Sequence, residues 1–125
     1  MELSGRTALI TGAGQGIGQA CAEVFAERGA ALVLIDKNRK TLPKVAEQIA
    51  EKGGKVQPIL VDLTHHRKLH KVIDEIKART HVDILVNNAG FDHPGTTMKI
   101  GKEQFNAVLG IHVGVPFFLI KSFTL

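Results

Sequence analysis

Tryptophan and tyrosine are both missing from this 125-residue chain. A protein that binds nucleic acid by stacking bases needs such rings on its surface. The net charge of +4 is therefore no sign of that partner, and the Lys and Arg residues are spread without a recognised binding motif. A single cysteine, Cys21, excludes an internal disulfide and suits a reducing cytoplasm. It falls on the first expected helix, where it reads as a small core residue. No unbroken apolar run is long enough to cross a bilayer. Met1–Gly5 also lacks the basic start and apolar core of a signal peptide. The expectation is a cytoplasmic protein with neither a membrane nor a nucleic-acid partner.

Hydrophobic residues make up 44% of the chain and charged residues 22%, as in an ordinary globular domain. At this length it forms one domain, residues 1–125. Its organising stretch is Arg6 to Gly18, RTALITGAGQGIG. The apolar run Ala8-Leu9-Ile10 reads as a strand buried on both faces. It breaks into a glycine-rich turn, and an amphipathic helical pattern runs from Gln19 to Arg28. Strand, glycine turn and helix in that order form a phosphate cradle. Glycine lets the backbone turn tightly, and a helix N-terminus offers unpaired N–H groups and a positive dipole end.

The alternation continues. Ala31–Ile35 is a second strand, ending at Asp36. Thr41 to Lys52 reads as a helix with Leu42, Val45, Ile49 and Ala50 inward, stopped by Gly53-Gly54. Val56 to Val61 is a third strand, and Pro58 places it at an edge. His66 to Arg79 is a helix with Leu69, Val72, Ile73 and Ile76 inward. Ile84–Val86 is a fourth strand, followed by a loop over Phe91 to Ile100 and a long apolar helix over Lys102 to Leu125. This order predicts an α/β fold, a doubly wound parallel sheet of about four strands with helices on both faces. Ligands of such sheets bind at the carboxyl ends of the strands. Here those ends carry Gly12 to Gly18, Asp36, Asp62 and Asn87 to Gly90.

Thr11-Gly12-x-x-x-Gly16-x-Gly18, Asp62 after the third strand and Asn87-Asn88-Ala89-Gly90 after the fourth resemble, in order and spacing, the N-terminal half of a short-chain dehydrogenase/reductase. The resemblance covers essentially the whole chain. It implies a Rossmann-type sheet and hydride transfer between a nicotinamide cofactor and an alcohol or carbonyl substrate. On this resemblance Gly12, Gly16 and Gly18 are the turn glycines, and the backbone of Gln15, Gly16 and Ile17 faces the pyrophosphate. Asp36 accepts the adenosine ribose hydroxyls or caps the following segment. A carboxylate there repels a 2′-phosphate by roughly 4 kcal/mol per unit charge at about 4 Å and an effective dielectric near 20. That favours NAD over NADP, a preference that Lys37 and Arg39 soften. Asp62 and Leu63 contact the adenine, or Asp62 caps the helix after it. Asn87, Asn88, Ala89 and Gly90 flank the ribose and brace the sheet.

His112 stands where the family usually has Asn, whose main-chain carbonyl holds a water in a proton relay. Pro116 has no N–H to offer that carbonyl, so the relay acceptor survives the substitution. The alternative is a proline kink with a buried histidine. His65, His66 and His70 cluster, but Arg67, Lys68 and Lys71 beside them oppose a cation, so a solvated basic face is expected and no metal. The family's catalytic Ser and its Tyr-x-x-x-Lys pair find no counterpart; there is no tyrosine, and Ser122 lies in the last helix. The chain is therefore expected to be incomplete at its C-terminus, with the fourth strand left as a bare edge. A homo-oligomer is expected of the full-length protein, because in the family the last helix builds a subunit interface. The alternative is a truncated or non-catalytic NAD-binding module. The substrate is not legible.

Overall fold

The computed structural model describes residues 1–92 and 94–124. A parallel sheet in the order β3-β2-β1-β4 is formed by β1 (Thr7–Thr11), β2 (Ala31–Asp36), β3 (Val56–Leu60) and β4 (Ile84–Val86). The helices between them are α1 (Gly16–Glu27), α2 (Leu42–Glu51) and α3 (His66–Arg79). Side chains alternate across a strand, and the sheet has a core on each side for that reason. Ala8, Ile10, Leu32 and Leu34 pack with Ala22 of α1 and Leu42, Val45 and Ile49 of α2. Leu9, Val33 and Ile35 pack on the other face with Leu69, Val72, Ile73 and Ile76 of α3. The doubly wound reading is correct, and Pro58 does lie on an edge strand, where no outer neighbour needs its missing N–H.

One boundary and one buried face differ from the sequence reading. α1 begins at Gly16, not at Gln19, because Gly16-Ile17-Gly18 form its first turn. Glycine has low helix propensity; packing against β1 overrides it. α2 buries Ala46 and exposes Ala50. At 100° per residue Ala46 lies about 40° from Leu42 and Ala50 about 80° away, outside the buried stripe.

The last helix is not uniform. α4 (Lys102–Leu109) widens into a π turn over Gly110–Gly114 and resumes as α5 (Val115–Phe123). The Val115 N–H reaches back to the Gly110 carbonyl. The wide turn sits immediately ahead of Pro116 and lets the helix absorb a residue without an N–H. Taken as one element, Lys102–Phe123 has 22 residues with a mean hydropathy of 1.4 and is long and apolar enough to cross a membrane. The sequence reading missed this because polar residues such as Asn106 and His112 interrupt every apolar run. The helix buries Ile111, Val115 and Leu119 against the α3 face of the sheet, while most of its surface stays exposed.

At the opposite end of the sheet, β1 and β4 are joined at their start. The Asp83 carboxylate accepts the Thr7 N–H at 2.8 Å and an Arg6 N–H at 3.3 Å, and the Asp83 N–H bonds the Thr7 carbonyl. The Thr7 bond, helped by Arg6 and His81 against some desolvation, holds Asp83 below the usual carboxylate range.

Candidate functional site

β1, β2 and β3 step outward in one direction, and β4 returns to the other side of β1. The strand order reverses between β1 and β4, and at the carboxyl ends of such a reversal a crevice opens. A cleft of about 300 Å³ lies there. Gly12, Gln15, Gly16 and Ile17 form one wall, Asp36, Asp62 and Leu63 the end under β2 and β3, and Asn88, Ala89 and Gly90 the side under β4.

Gln15, in extended conformation, is the N-cap of α1 and makes no side-chain capping bond. The first-turn N–H groups therefore have no cap of their own. Gly16 has φ +57°, and a Cβ placed on it would meet nothing within 4 Å. An uncapped helix end, a left-handed residue and open space above it fit an anion. Ile17 stands at the mouth, 74% exposed.

Gly18 does a different job. It is buried beneath the cleft and does not line it. A Cβ there would run into the Gly12 carbonyl and lie 2.6 Å from Asn88 Nδ2. Its bareness lets α1 sit directly on the loop. Asn88 Nδ2 in turn donates to the Gly12 carbonyl at 3.1 Å.

Thr11 was part of the motif but had no role assigned from sequence. It is the one buried polar residue among those described, 1% exposed. Its Oγ1 accepts the N–H groups of Asn88 at 3.0 Å and Ala89 at 2.9 Å. This hydroxyl fixes the turn after β4 against the end of β1. A threonine that ends a buried strand just before a glycine was the available signal.

The two carboxylates at the other end are each held by a turn. Asp36 Oδ2 accepts the Gly14 N–H at 2.8 Å, and Oδ1 accepts that of Asn38 at 3.0 Å. Asp36 is not the cap of α2, whose N-cap position is Thr41, a residue that makes no side-chain capping bond. Asp62 Oδ1 accepts the hydroxyl of Thr64 at 2.6 Å and its N–H at 3.0 Å, a local turn ahead of the His65 N-cap. Partial burial pushes Asp62 up, but the Thr64 bonds with Lys37 and Lys68 outweigh it and hold the carboxyl below its ordinary value. Asp62 thus stays ionised at the cleft.

Asn87 is exposed and lies outside the cleft lining, as does His112. His112 Nε2 is 2.8 Å from the Phe91 carbonyl. A carbonyl only accepts, so the proton sits on Nε2. Ser122 donates to the Phe118 carbonyl within α5, at 2.6 Å. His66 and His70 pack edge to face with their centroids 4.4 Å apart, and both contact Phe118. Their one-turn spacing thus places an aromatic cluster against α5.

The profile of the short chain dehydrogenase family matches residues 6–124. The chain belongs to that family. The 3-oxoacyl-[acyl-carrier-protein] reductase FabG of Thermotoga maritima is 30% identical over 90% of the chain and 46% of its own length. Mouse 17-beta-hydroxysteroid dehydrogenase 13 is 31% identical over 97% of the chain and 40% of its own length. The chain therefore spans less than half the length of these relatives. Among solved structures, L-sorbose reductase from Gluconobacter frateurii, complexed with NADPH and L-sorbose, superposes with a TM-score of 0.91 at 33% identity, covering 98% of this chain and 48% of that one. A 3-oxoacyl reductase from Agrobacterium tumefaciens with NADP bound gives 0.90 at 31% identity, covering 98% and 47%. Within this short-chain dehydrogenase fold, the cleft lies at the carboxyl ends of the strands.

Proposed function

We propose that this chain is the cofactor-binding part of a nicotinamide-dependent oxidoreductase that passes hydride between NAD(H) and an alcohol or carbonyl substrate. The observation that carries it is the uncapped N-terminus of α1 opening on the cleft at Gly16. The first-turn amides of Gly16 and Ile17, with Gln15 and Gly12, hold the pyrophosphate. Asp36 takes the ribose hydroxyls: each of its oxygens accepts one N–H and keeps capacity for another donor. Asp62 and Leu63 receive the adenine, and Asn88, Ala89 and Gly90 flank the ribose, while Asn87, outside the lining, is left out of the site. Gly18 keeps the cradle close-packed. When bound, the nicotinamide ring supplies the hydride acceptor or donor. The main-chain carbonyl of His112, whose normal helical donor position is taken by Pro116, serves as the water acceptor of the proton relay. The tyrosine that exchanges the substrate proton in this family is not among these residues. A non-catalytic NAD-binding module is thus the alternative for the chain by itself.

NADP is the second reading for the cofactor. The two solved relatives above hold NADP or NADPH, and Lys37 stands beside Asp36 with a positive charge. A calorimetric titration with NADH and NADPH decides. NADH is expected to bind at least tenfold more tightly, since about 1.4 kcal/mol of the charge repulsion suffices for that ratio. Tighter NADPH binding overturns the assignment of Asp36.

The protein acts in the cytoplasm and as a homo-oligomer. The oligomer rests on the outer stripe of α4, the π turn and α5, where Phe105, Leu109, Val113, Phe117 and Ile120 are 44–60% exposed. Sedimentation equilibrium is expected to return a multiple of the chain mass, and Phe117→Glu to return the monomer.

A further inference from the structure

Thr41, at the N-cap of α2, carries a buried side-chain oxygen that is the one such atom, among the described residues, without a hydrogen-bond partner. A buried hydroxyl left unpaired costs free energy and calls for an explanation. A threonine at a helix N-cap ordinarily turns its oxygen onto an N–H of the first turn. Thr41 makes no such bond, and its φ of −90° and ψ of −42° are helical, unlike the extended backbone of a capping residue. Its hydroxyl lies against the glycine loop instead. The point where a Gly14 Cβ would sit is 2.6 Å from Thr41 Oγ1 and 2.8 Å from Asp36 Oδ2. That same Asp36 oxygen holds the Gly14 N–H at 2.8 Å. Loop amide, carboxylate and hydroxyl thus crowd one spot that only a glycine leaves open. Thr41 is also tied to Asp36 through Asn38: the Thr41 N–H bonds Asn38 Oδ1 at 3.1 Å, and the Asn38 N–H bonds Asp36 Oδ1 at 3.0 Å.

We propose that Thr41 is a positioning residue for Asp36, the stand-in acceptor for the Gly14 N–H when Asp36 turns to a ribose. The inference rests on the reading of the cleft as a dinucleotide site. Ribose hydroxyls in the cleft draw the carboxylate toward themselves, and the buried Gly14 N–H is left without its acceptor. The Thr41 hydroxyl, beside the same spot, accepts that N–H and turns its own proton onto Asp36 Oδ2; a hydroxyl can do both at once. The exchange leaves no donor unpaired and gives Thr41 the partners it lacks. The unpaired hydroxyl of the free chain is a cost that ligand binding removes.

Stability and affinity are expected to move in opposite directions, which a merely structural hydroxyl would not produce. Thr41→Val keeps the shape of the side chain and removes the unpaired group, so it is expected to melt a few degrees higher than the unaltered chain. The same variant is expected to bind ADP roughly two- to tenfold more weakly by calorimetry, the scale of one hydrogen bond. Its affinity for 2′,3′-dideoxy-ADP, which has no ribose hydroxyls to turn Asp36, is expected to be unchanged. Thr41→Ser restores the hydroxyl and is expected to bind ADP as the unaltered chain does. A lower melting point for Thr41→Val, an undiminished preference for ADP over the dideoxy compound, or equal weakening of both ligands overturns the role of Thr41 and leaves the cleft reading intact. An unaltered chain that binds the two ligands alike overturns the assignment of Asp36 as well, and one that binds neither overturns the cleft reading itself.

Discussion

Gly18→Ala is expected to lower thermal stability by about 3 kcal/mol, a drop of roughly 10 °C in the unfolding midpoint. The added methyl would overlap the Gly12 carbonyl and press on Asn88 Nδ2 at 2.6 Å. The first of these is backbone in the glycine loop and cannot rotate away. α1 has to lift from β1, and the apolar contacts of Ala22 beneath it are lost with it. Gly16→Ala is the control. Its methyl meets nothing, so the cost is the left-handed φ alone, about 1 to 2 kcal/mol. Circular dichroism melts of the two variants separate the roles: close packing at Gly18, an open cradle at Gly16. Equal melting of Gly18→Ala and the unaltered chain would contradict the packing described here.

Thr11→Val is expected to be comparably damaging, although the side chain keeps its shape. The change removes the acceptor of two N–H groups, those of Asn88 and Ala89. A buried donor left unpaired costs about 1 to 3 kcal/mol, so a loss of about 2 to 5 kcal/mol in denaturant unfolding is expected. Thr11→Ser keeps the hydroxyl and is expected to lose less than about 1.5 kcal/mol, the scale of one deleted buried methyl. Affinity for NADH follows the same order, because the turn held by Thr11 is one wall of the cleft. A valine variant as stable as the serine one would remove Thr11 from its role.

The contrast between these residues shows what the sequence could reveal. The strands, their order along the chain and the two-faced sheet were legible because apolar runs and helical stripes alternate without a break. Ile84–Val86 was found to the residue, and Pro58 marked its own edge. Asp36, Asp62 and the asparagine turn were legible as strand ends. The division of labour among the glycines was not. Gly16 and Gly18 are chemically identical letters, and only the approach of Gly12 and Asn88 makes one a packing contact and the other an opening. Thr11 was hidden for a similar reason: its partners lie 77 and 78 residues away. Lys37 and Phe91 meet across the cleft with no periodic signal to join them. The π turn before Pro116 could be anticipated as a kink but not as a change in winding, since the widened helix depends on how α4 and α5 settle on the sheet.

β1 finds its partner β4 only after α1, α2 and α3 have been laid down between them. Closing a loop of that length costs roughly 4 kcal/mol in chain entropy beyond a fixed constant. The glycine turn, placed at the very start of the chain, consequently waits for residues 84–90 before it acquires its shape. During synthesis the nascent polypeptide carries this turn until residues 84–90 emerge without the opposite wall of the cleft. The cleft comes into being only when β1 is flanked by β2 and β4, so pairing β1 with β4 and bringing the two walls of the cleft together are a single event.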